Sequence, residues 1–430
     1  MGVNKMRKVN RVLVVILVIS IFITLSGCNK VANTSPGTNL PNTSNANIPA
    51  LVKSNKTVEL SSLKYEEINL PKDYQSVGWL ACSNDFVFFS SGTDKPSKSN
   101  PPCLTYIEKL FSYNVKTKAL KNIAEIDKGF VQIDWVGAND NWIVYREIKD
   151  EYGGPERIYA INRSDNKVKL VFENIECTNC EGVTSQHVFN LNLWNDYLVL
   201  PRFSFEPTKR DQNGKITDGL FYNSIKIINL KTNESKEIFN KSSSLSQSGA
   251  IFSTSINSNY LVFNYAEGGK QTIYTYSFNS GTLKELLEVP LMSDTIGSNN
   301  FLYTNVLLTE DNYIVFDYPE DLKTDKFLTV IAPIENINQM KSLFKTVPSY
   351  YIMWPQYESR DYIAWANRQE GTLNIINRNS GCLISINSAA GLVEWVDSKK
   401  VIVDYGTIVK TDKGDIPIEK LILINSVLIP

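Results

Sequence analysis

The chain has 430 residues, of which 43% are apolar and 21% charged, and its 44 basic residues nearly balance its 45 acidic residues. This is the composition of a globular protein, so wholesale disorder and a fibrous repeat are excluded. The formal net charge of -1 gives no general electrostatic basis for binding nucleic acid. Because the chain has a single histidine, His187, it cannot build a multi-histidine metal site, and the sequence predicts neither a metal nor a cofactor.

The first 27 residues have the order of an export signal. Several basic residues precede the apolar run 12–25, which is shorter than the roughly 20 residues that a membrane-spanning helix needs. The following tetrad, Leu25-Ser26-Gly27-Cys28, resembles the lipobox of bacterial lipoproteins. The resemblance implies cleavage before Cys28, attachment of lipid including palmitate to its thiol, and anchoring on the extracytoplasmic face of a bacterial membrane. An uncleaved signal anchor with an incidental cysteine is the alternative.

Residues 28–57 are predicted to form the lipidated cysteine and a flexible tether. Asn, Ser, Thr, Pro and Gly dominate this stretch, and it shows neither a helical nor a strand period. As a flexible coil it has an end-to-end distance of roughly 30 Å. The folded domain is therefore expected to cover 58–430.

A short block of β-branched and aromatic residues recurs through the rest of the chain, usually led by Asn or Asp and an aromatic residue. The blocks are too short for buried helices and have high strand propensity. Their positions are 85–89, 141–145, 196–200, 259–263, 312–316, 361–365 and 400–404.

Each block sits within a larger unit. A shorter apolar strand, often with a tryptophan, precedes it, a strand ending in a polar turn follows it, and a fourth apolar run closes the unit. Four short antiparallel strands, repeated, are typical of a propeller blade. The sequence therefore predicts an all-β fold, a β-propeller of seven four-stranded blades. Eight blades, an open array and, with less support, a two-domain β-sandwich are the alternatives.

The repeat resembles the divergent propellers of bacterial envelope proteins, and is similar to the propeller of the Tol system and to WD-like lipoproteins. The units are longer than the usual 40 to 45 residues of WD-type blades, and no Trp-Asp dipeptide ends a blade. The seventh unit supplies only three strands, whereas 58–70 precedes the first unit without a partner of its own. We expect 58–70 to provide the outer strand of the seventh blade, because an open sheet edge is an aggregation hazard.

The cysteines suggest one local pairing. Cys177 and Cys180 lie in a polar loop between the second and third units and are predicted to form a disulfide, with two free thiols or a functional site as alternatives. Cys82 and Cys103 lie toward opposite ends of one strand, too far apart to bridge unless the intervening insert folds back. Cys382 follows a turn glycine and is expected to be packed.

Two carboxylates stand one residue ahead of an inner-strand tryptophan. Asp134 and Glu394 could line the central channel and are the weak catalytic candidates, since glycosidases use pairs of acids. Solvated channel residues are the more ordinary interpretation. Three long inserts, 90–102, 149–156 and 204–219, are where function would concentrate if it lies on loops.

We therefore expect a non-catalytic binding or scaffold propeller that recognises a protein, peptide or glycan ligand. The alternative function is a carbohydrate-active enzyme, a glycosidase or lyase, that uses the channel carboxylates.

Overall fold

The computed structural model describes most of the chain beyond residue 47. The described residues are 48–71, 74, 76–96, 105–149, 155–174, 184–188, 191–247, 249–290, 292–293, 301–302, 305–321, 326–346, 355–358, 361–367, 372–387, 390–397, 400–411 and 414–425. The export signal and Cys28 lie outside this range. No helix in the described part of the chain is long and apolar enough to cross a membrane.

The described residues form four-stranded antiparallel units, which we number as blades 1 to 7 and describe from the inner to the outer strand. Blade 1 contains Ser76–Ser83, Phe86–Pro96, Thr105–Asn114 and Leu120–Glu125; blade 2 contains Gln132–Ala138, Trp142–Ile148, Glu156–Asn162 and Val168–Asn174. Blade 3 contains an inner strand in two pieces, Thr184–Val188 and Asn192–Trp194, then Tyr197–Arg210, Ile216–Asn229 and Ser235–Ser244. Blade 4 contains Ala250–Ile256, Tyr260–Glu267, Lys270–Ser277 and Thr282–Pro290.

The remaining blades follow the same order. Blade 5 contains Val306–Leu308, Tyr313–Asp321, Lys326–Pro333 and Lys341–Thr346; blade 6 contains Pro355–Glu358, Tyr362–Asn367, Thr372–Asn377 and Cys382–Asn387. Blade 7 contains Ala390–Asp397, Lys400–Thr411, Gly414–Ile424 and, from the N-terminal side, Tyr65–Ile68. Two short strands, Met292–Ser293 and Phe301–Leu302, pair between blades 4 and 5, and short 3-10 turns occupy Leu60–Ser62 and Ile337–Gln339.

Apolar clusters join each blade to the next and close the ring. Val144 of blade 2 packs in one cluster with Leu198 of blade 3, and equivalent clusters join the other successive blades. The last cluster joins Ile402 and Leu423 of blade 7 to Phe89 of blade 1. The predicted all-β propeller is thereby confirmed, and the alternatives of a sandwich and an open array are excluded.

The closing strand also agrees with the prediction. Tyr65–Ile68 runs antiparallel to the third strand of blade 7, with Tyr65 opposite Ile424, and provides the outer strand that this blade otherwise lacks. Ile68 is buried in the cluster between blades 7 and 1. Ring closure therefore depends on a pairing between residues that are far apart in sequence.

Part of the stretch on the tether side of the predicted 57/58 boundary pairs with the ring. Residues 48–63, which we call the strap, already lie on the outer edges of blades 5 and 6. Ala50 bridges Ser342 of blade 5, and Ser54–Glu59 pairs in parallel with the outer strand of blade 6 as a fifth strand. The pairing of the strap with these blades could not be predicted from the sequence, because the strap strand is polar and mostly exposed. It is held by backbone hydrogen bonds and by a few apolar residues beside it, such as Leu51.

In blades 2 to 5 the Asn or Asp that leads the block also bonds to a neighbouring blade. In blade 3 the Asp196 carboxylate accepts a hydrogen bond of 2.7 Å from the Trp142 indole of blade 2. In blade 5 the amide oxygen of Asn312 accepts a bond of 3.0 Å from Asn257 of blade 4. These residues therefore end a turn and link successive blades at the same end of the ring.

Candidate functional site

The three long inserts all lie at one end of the ring, which we call the hairpin face. Each connects the second strand of a blade to the third, and in blades with the same strand order this connection falls at the same end. The inserts belong to blades 1, 2 and 3, which are neighbours. By contrast, blade 4 makes this connection with only Gly268 and Gly269, both at positive φ. Among the described residues the second strand is longest in blades 1, 3 and 7, with 11, 14 and 12 residues against 8 in blade 4, so the hairpin face extends further beside those three blades than beside blade 4.

The blade 3 insert, 204–219, is part of an extended hairpin with a small core of its own. Phe203, Phe205 and Phe221 are buried together. Gly219 permits this packing, since a Cβ at that position would lie 2.5 Å from the Phe205 ring. At the tip, one Asp211 carboxylate oxygen accepts backbone hydrogen bonds of 2.8 and 2.9 Å from Asn213 and Lys215, which makes it a turn cap. The hairpin is a packed projection with a polar tip.

Asp134 lies on the inner strand of blade 2, as predicted, but it is engaged in an ion pair. Its two oxygens accept hydrogen bonds of 2.8 and 2.7 Å from Arg146 on the second strand, in bidentate geometry. A second carboxylate, Glu156 on the third strand, lies 3.6 Å from the same guanidinium. Burial lowers the pKa of Arg146, and the two carboxylates more than offset this, so the net shift is upward. Both Asp134 oxygens are thus occupied by the ion pair, whereas a glycosidase general acid must face the bond that it cleaves.

The partner of Asp134 occupies a recurring position that sequence reasoning missed. Arg146 directly follows its apolar quartet, and the polar residues at the same place in blades 1 and 4 contact the inner strand. In blade 1 the Ser90 hydroxyl accepts a hydrogen bond of 2.9 Å from the backbone N–H of Trp79. In blade 4 the side-chain oxygen of Asn264 accepts a hydrogen bond of 2.8 Å from the backbone N–H of Ser253. The detectable signal was a polar residue immediately after the apolar block in blades 1, 2, 4 and 5. It marks where the second strand supports a bulge in the inner strand.

A second polar cluster lies between blades 1 and 2, near the same face. Glu147 is only 1% exposed, and its carboxylate accepts a bond of 3.0 Å from the Asp127 backbone in the connection between these blades. Burial raises the pKa of Glu147 to about 7. Arg157 pairs with Asp127 at 2.8 Å and lies 3.9 Å from Glu147. This network fixes the inter-blade connection beside the hairpin of blade 2.

Other predicted site residues are not brought together by the described structure. Glu394 is on the inner strand of blade 7, opposite Ile402, and its side chain lies outside the described residues. Cys28, Cys177 and Cys180 also lie outside them, so lipidation and the disulfide stay predictions. His187 is on the inner strand of blade 3, opposite Phe203.

Cys82 and Cys382 pack beside the blade 7–1 and blade 6–7 clusters. Within the part of the chain that the structure describes, no three metal-ligating side chains converge.

No family model and no curated protein sequence matches the chain. Among solved structures it is similar to the WD40 domain of coronin from Toxoplasma gondii, with a TM-score of 0.45 and 9% identity over 89% of either chain. It is also similar to an oligogalacturonate lyase in complex with manganese, with a TM-score of 0.41 and 8% identity over 84% of this chain and 79% of that one. For TolB from Acinetobacter baumannii the TM-score is 0.36 and the identity 14%, over 64% of this chain and 58% of that one.

Proposed function

We propose that the protein is a lipid-anchored, extracytoplasmic propeller that binds a protein, peptide or glycan on its hairpin face without catalysing a reaction. The observation that carries this proposal is the packed blade 3 hairpin, which projects at the end of the ring where the inserts of blades 1 and 2 also begin. A projection at the rim of a propeller offers a surface for recognition, and binding residues concentrate on loops held by a rigid scaffold. The lipobox tetrad ending at Cys28 supports the location.

The ion pair of Asp134 favours binding over catalysis. A carboxylate with both oxygens bonded to Arg146 is a poor proton donor and a poor nucleophile, since either role requires the pair to break. The alternative, a glycosidase or lyase, makes a distinct prediction. If it holds, pectic or other polysaccharides are cleaved by the purified protein, and Asp134→Asn abolishes the cleavage.

The binding surface can be tested by shortening the blade 3 hairpin. Replacing 206–220 by a Gly-Gly turn, as in blade 4, removes the projection and leaves Phe205 and Phe221, which already pair, joined by a two-residue hairpin connection that strands tolerate. On glycan and peptide arrays we expect ligands of the intact protein to lose affinity for the shortened variant. The control is Lys231→Ala, an exposed change at the opposite end of the ring, which should leave binding unaltered. Ligands that bind both proteins equally well contradict the assignment of this face.

The anchor can be tested separately. Cys28→Ala should move the protein from the membrane fraction to the soluble or secreted fraction, and labelling with a radioactive or alkyne palmitate should disappear. Unchanged membrane partition of Cys28→Ala would refute lipidation and would leave the binding proposal intact.

A further inference from the structure

The outer strand of blade 2 differs from other outer strands of the ring. Within Val168–Asn174, Val168 is 55% and Leu170 48% exposed, the highest values among the large apolar side chains that the structure describes. In the outer strands of blades 1, 3 and 4 the exposed positions are instead polar, as at Lys121, Glu237 and Lys284. Exposed apolar residues on an edge strand need an explanation, because proteins usually protect such edges.

The two residues continue an inter-blade cluster toward solvent. Val168 pairs with Ile161 and Leu170 with Tyr159, and directly opposed residues share one side of the sheet. Ile161 is buried in the cluster between blades 1 and 2, and Tyr159 packs against it. Val168 and Leu170 therefore form the outer end of that cluster, an apolar opening on the side of the ring.

The lysine beside them does not protect this opening. Lys169 reaches toward blade 3, where its ammonium donates to the Leu230 carbonyl and, at 2.7 Å, to Asn233. It also lies 5.0 Å from the centre of the Trp142 ring. The charge that ordinarily discourages strand addition is therefore used for contacts with the neighbouring blade.

Elsewhere on the ring, the protein covers such openings with its own strap. Ile48 packs at the cluster of blades 4 and 5, Leu51 at that of blades 5 and 6, and Val58 with Leu60 and Leu63 at that of blades 6 and 7. Between these apolar contacts, Ser54–Glu59 adds as a fifth strand to the outer strand of blade 6. An extended segment is thus the occupant that this fold already accepts on the outer strand of blade 6.

We propose that the outer strand of blade 2 binds an extended segment of a protein partner, added as a fifth strand, with apolar side chains seated over Val168 and Leu170. The mode is strand addition, in which backbone hydrogen bonds supply affinity and alternate side chains supply specificity. This surface is on the side of the ring, distinct from the hairpin face, so the inference does not depend on the proposed function.

The test is selection of a displayed library of short peptides on the whole protein. We expect enrichment of sequences with apolar residues at alternate positions, and slower hydrogen exchange of the 168–174 amides when they bind. The double variant Val168→Lys/Leu170→Lys should bind them about tenfold more weakly or worse. The matched control, Ser235→Lys/Glu237→Lys, places the same charges at the same spacing on the outer strand of blade 3 and should bind normally.

Each other outcome overturns the proposal. No enrichment of such peptides, or equal binding to the double variant, removes the site. A wild-type protein that dimerises, with a monomeric double variant, shows that a second copy occupies the strand instead. If the lysine variant melts early, Val168→Thr/Leu170→Thr, which keeps strand propensity, replaces it in the same assay.

Discussion

Substitution of one turn glycine should reveal how much the strap stabilises the ring. Gly381, in the turn before the outer strand of blade 6, has a φ of +74°, and a Cβ there would lie 2.4 Å from the Leu51 carbonyl oxygen of the strap. Its own carbonyl accepts a bond of 2.8 Å from the Lys53 backbone. Gly281 occupies the same turn position in blade 4, at φ +65°, and its Cβ would meet nothing closer than 3.8 Å.

Both alanine variants incur the left-handed backbone penalty of about 1 to 2 kcal/mol. Only Gly381→Ala must also displace the strap. The variant then loses about 0.5 to 1.5 kcal/mol of stability from the hydrogen bond of Lys53. It loses about 1.5 to 3 kcal/mol more from the exposure of Leu51, which is only 8% exposed when the strap is in place. We expect Gly381→Ala to destabilise the protein by about 2 to 4.5 kcal/mol more than Gly281→Ala does.

The assay is urea unfolding followed by tryptophan fluorescence, combined with limited proteolysis at Lys53 and Lys56 in the strap. Early cleavage at these lysines is expected in Gly381→Ala and not in Gly281→Ala. Equal loss of stability in the two variants, with the strap equally resistant in both, would show that the strap contributes nothing to the ring.

Two further predictions concern links between blades. Asp196→Ala should cost about 1 to 3 kcal/mol, because it leaves the buried indole N–H of Trp142 without its charged acceptor. In a Trp142→Phe background the same change should cost less than about 0.5 kcal/mol, and a double-mutant cycle with no coupling contradicts the link. For Glu147 the folded pKa of about 7 lies above the value of 4.5 for the free side chain, so the folded state holds the proton more tightly. The free energy of unfolding should therefore fall as pH rises from about 4.5 through 7. In Glu147→Gln this decline, measured by thermal unfolding at a series of pH values, should be smaller. An unchanged slope in the variant contradicts the raised pKa of Glu147.

Most of the sheet architecture could be predicted from the sequence. Strand blocks such as 141–145 and their leading Asn or Asp are local signals, because β-branched residues and turn formers act on their own backbone. The closing role of 58–70 followed from a count of strands, and Tyr65–Ile68 fulfils it. The location of Asp134 on an inner strand followed from its neighbour Trp135. None of these inferences required knowledge of which strands lie side by side in space.

The tertiary structure decided the rest. The sequence assigned the strap to a tether because Ser54–Glu59 is polar, yet an edge strand needs only backbone partners, and those are supplied by blade 6, more than 300 residues away. Asp134 was expected to be a channel acid, but it pairs with Arg146 on the second strand, whose guanidinium also lies 3.6 Å from Glu156 on the third strand. The physical reason is that strand propensity is a property of each residue and its immediate neighbours in the sequence. Charge pairing and edge coverage instead depend on distances that arise only when the ring has closed.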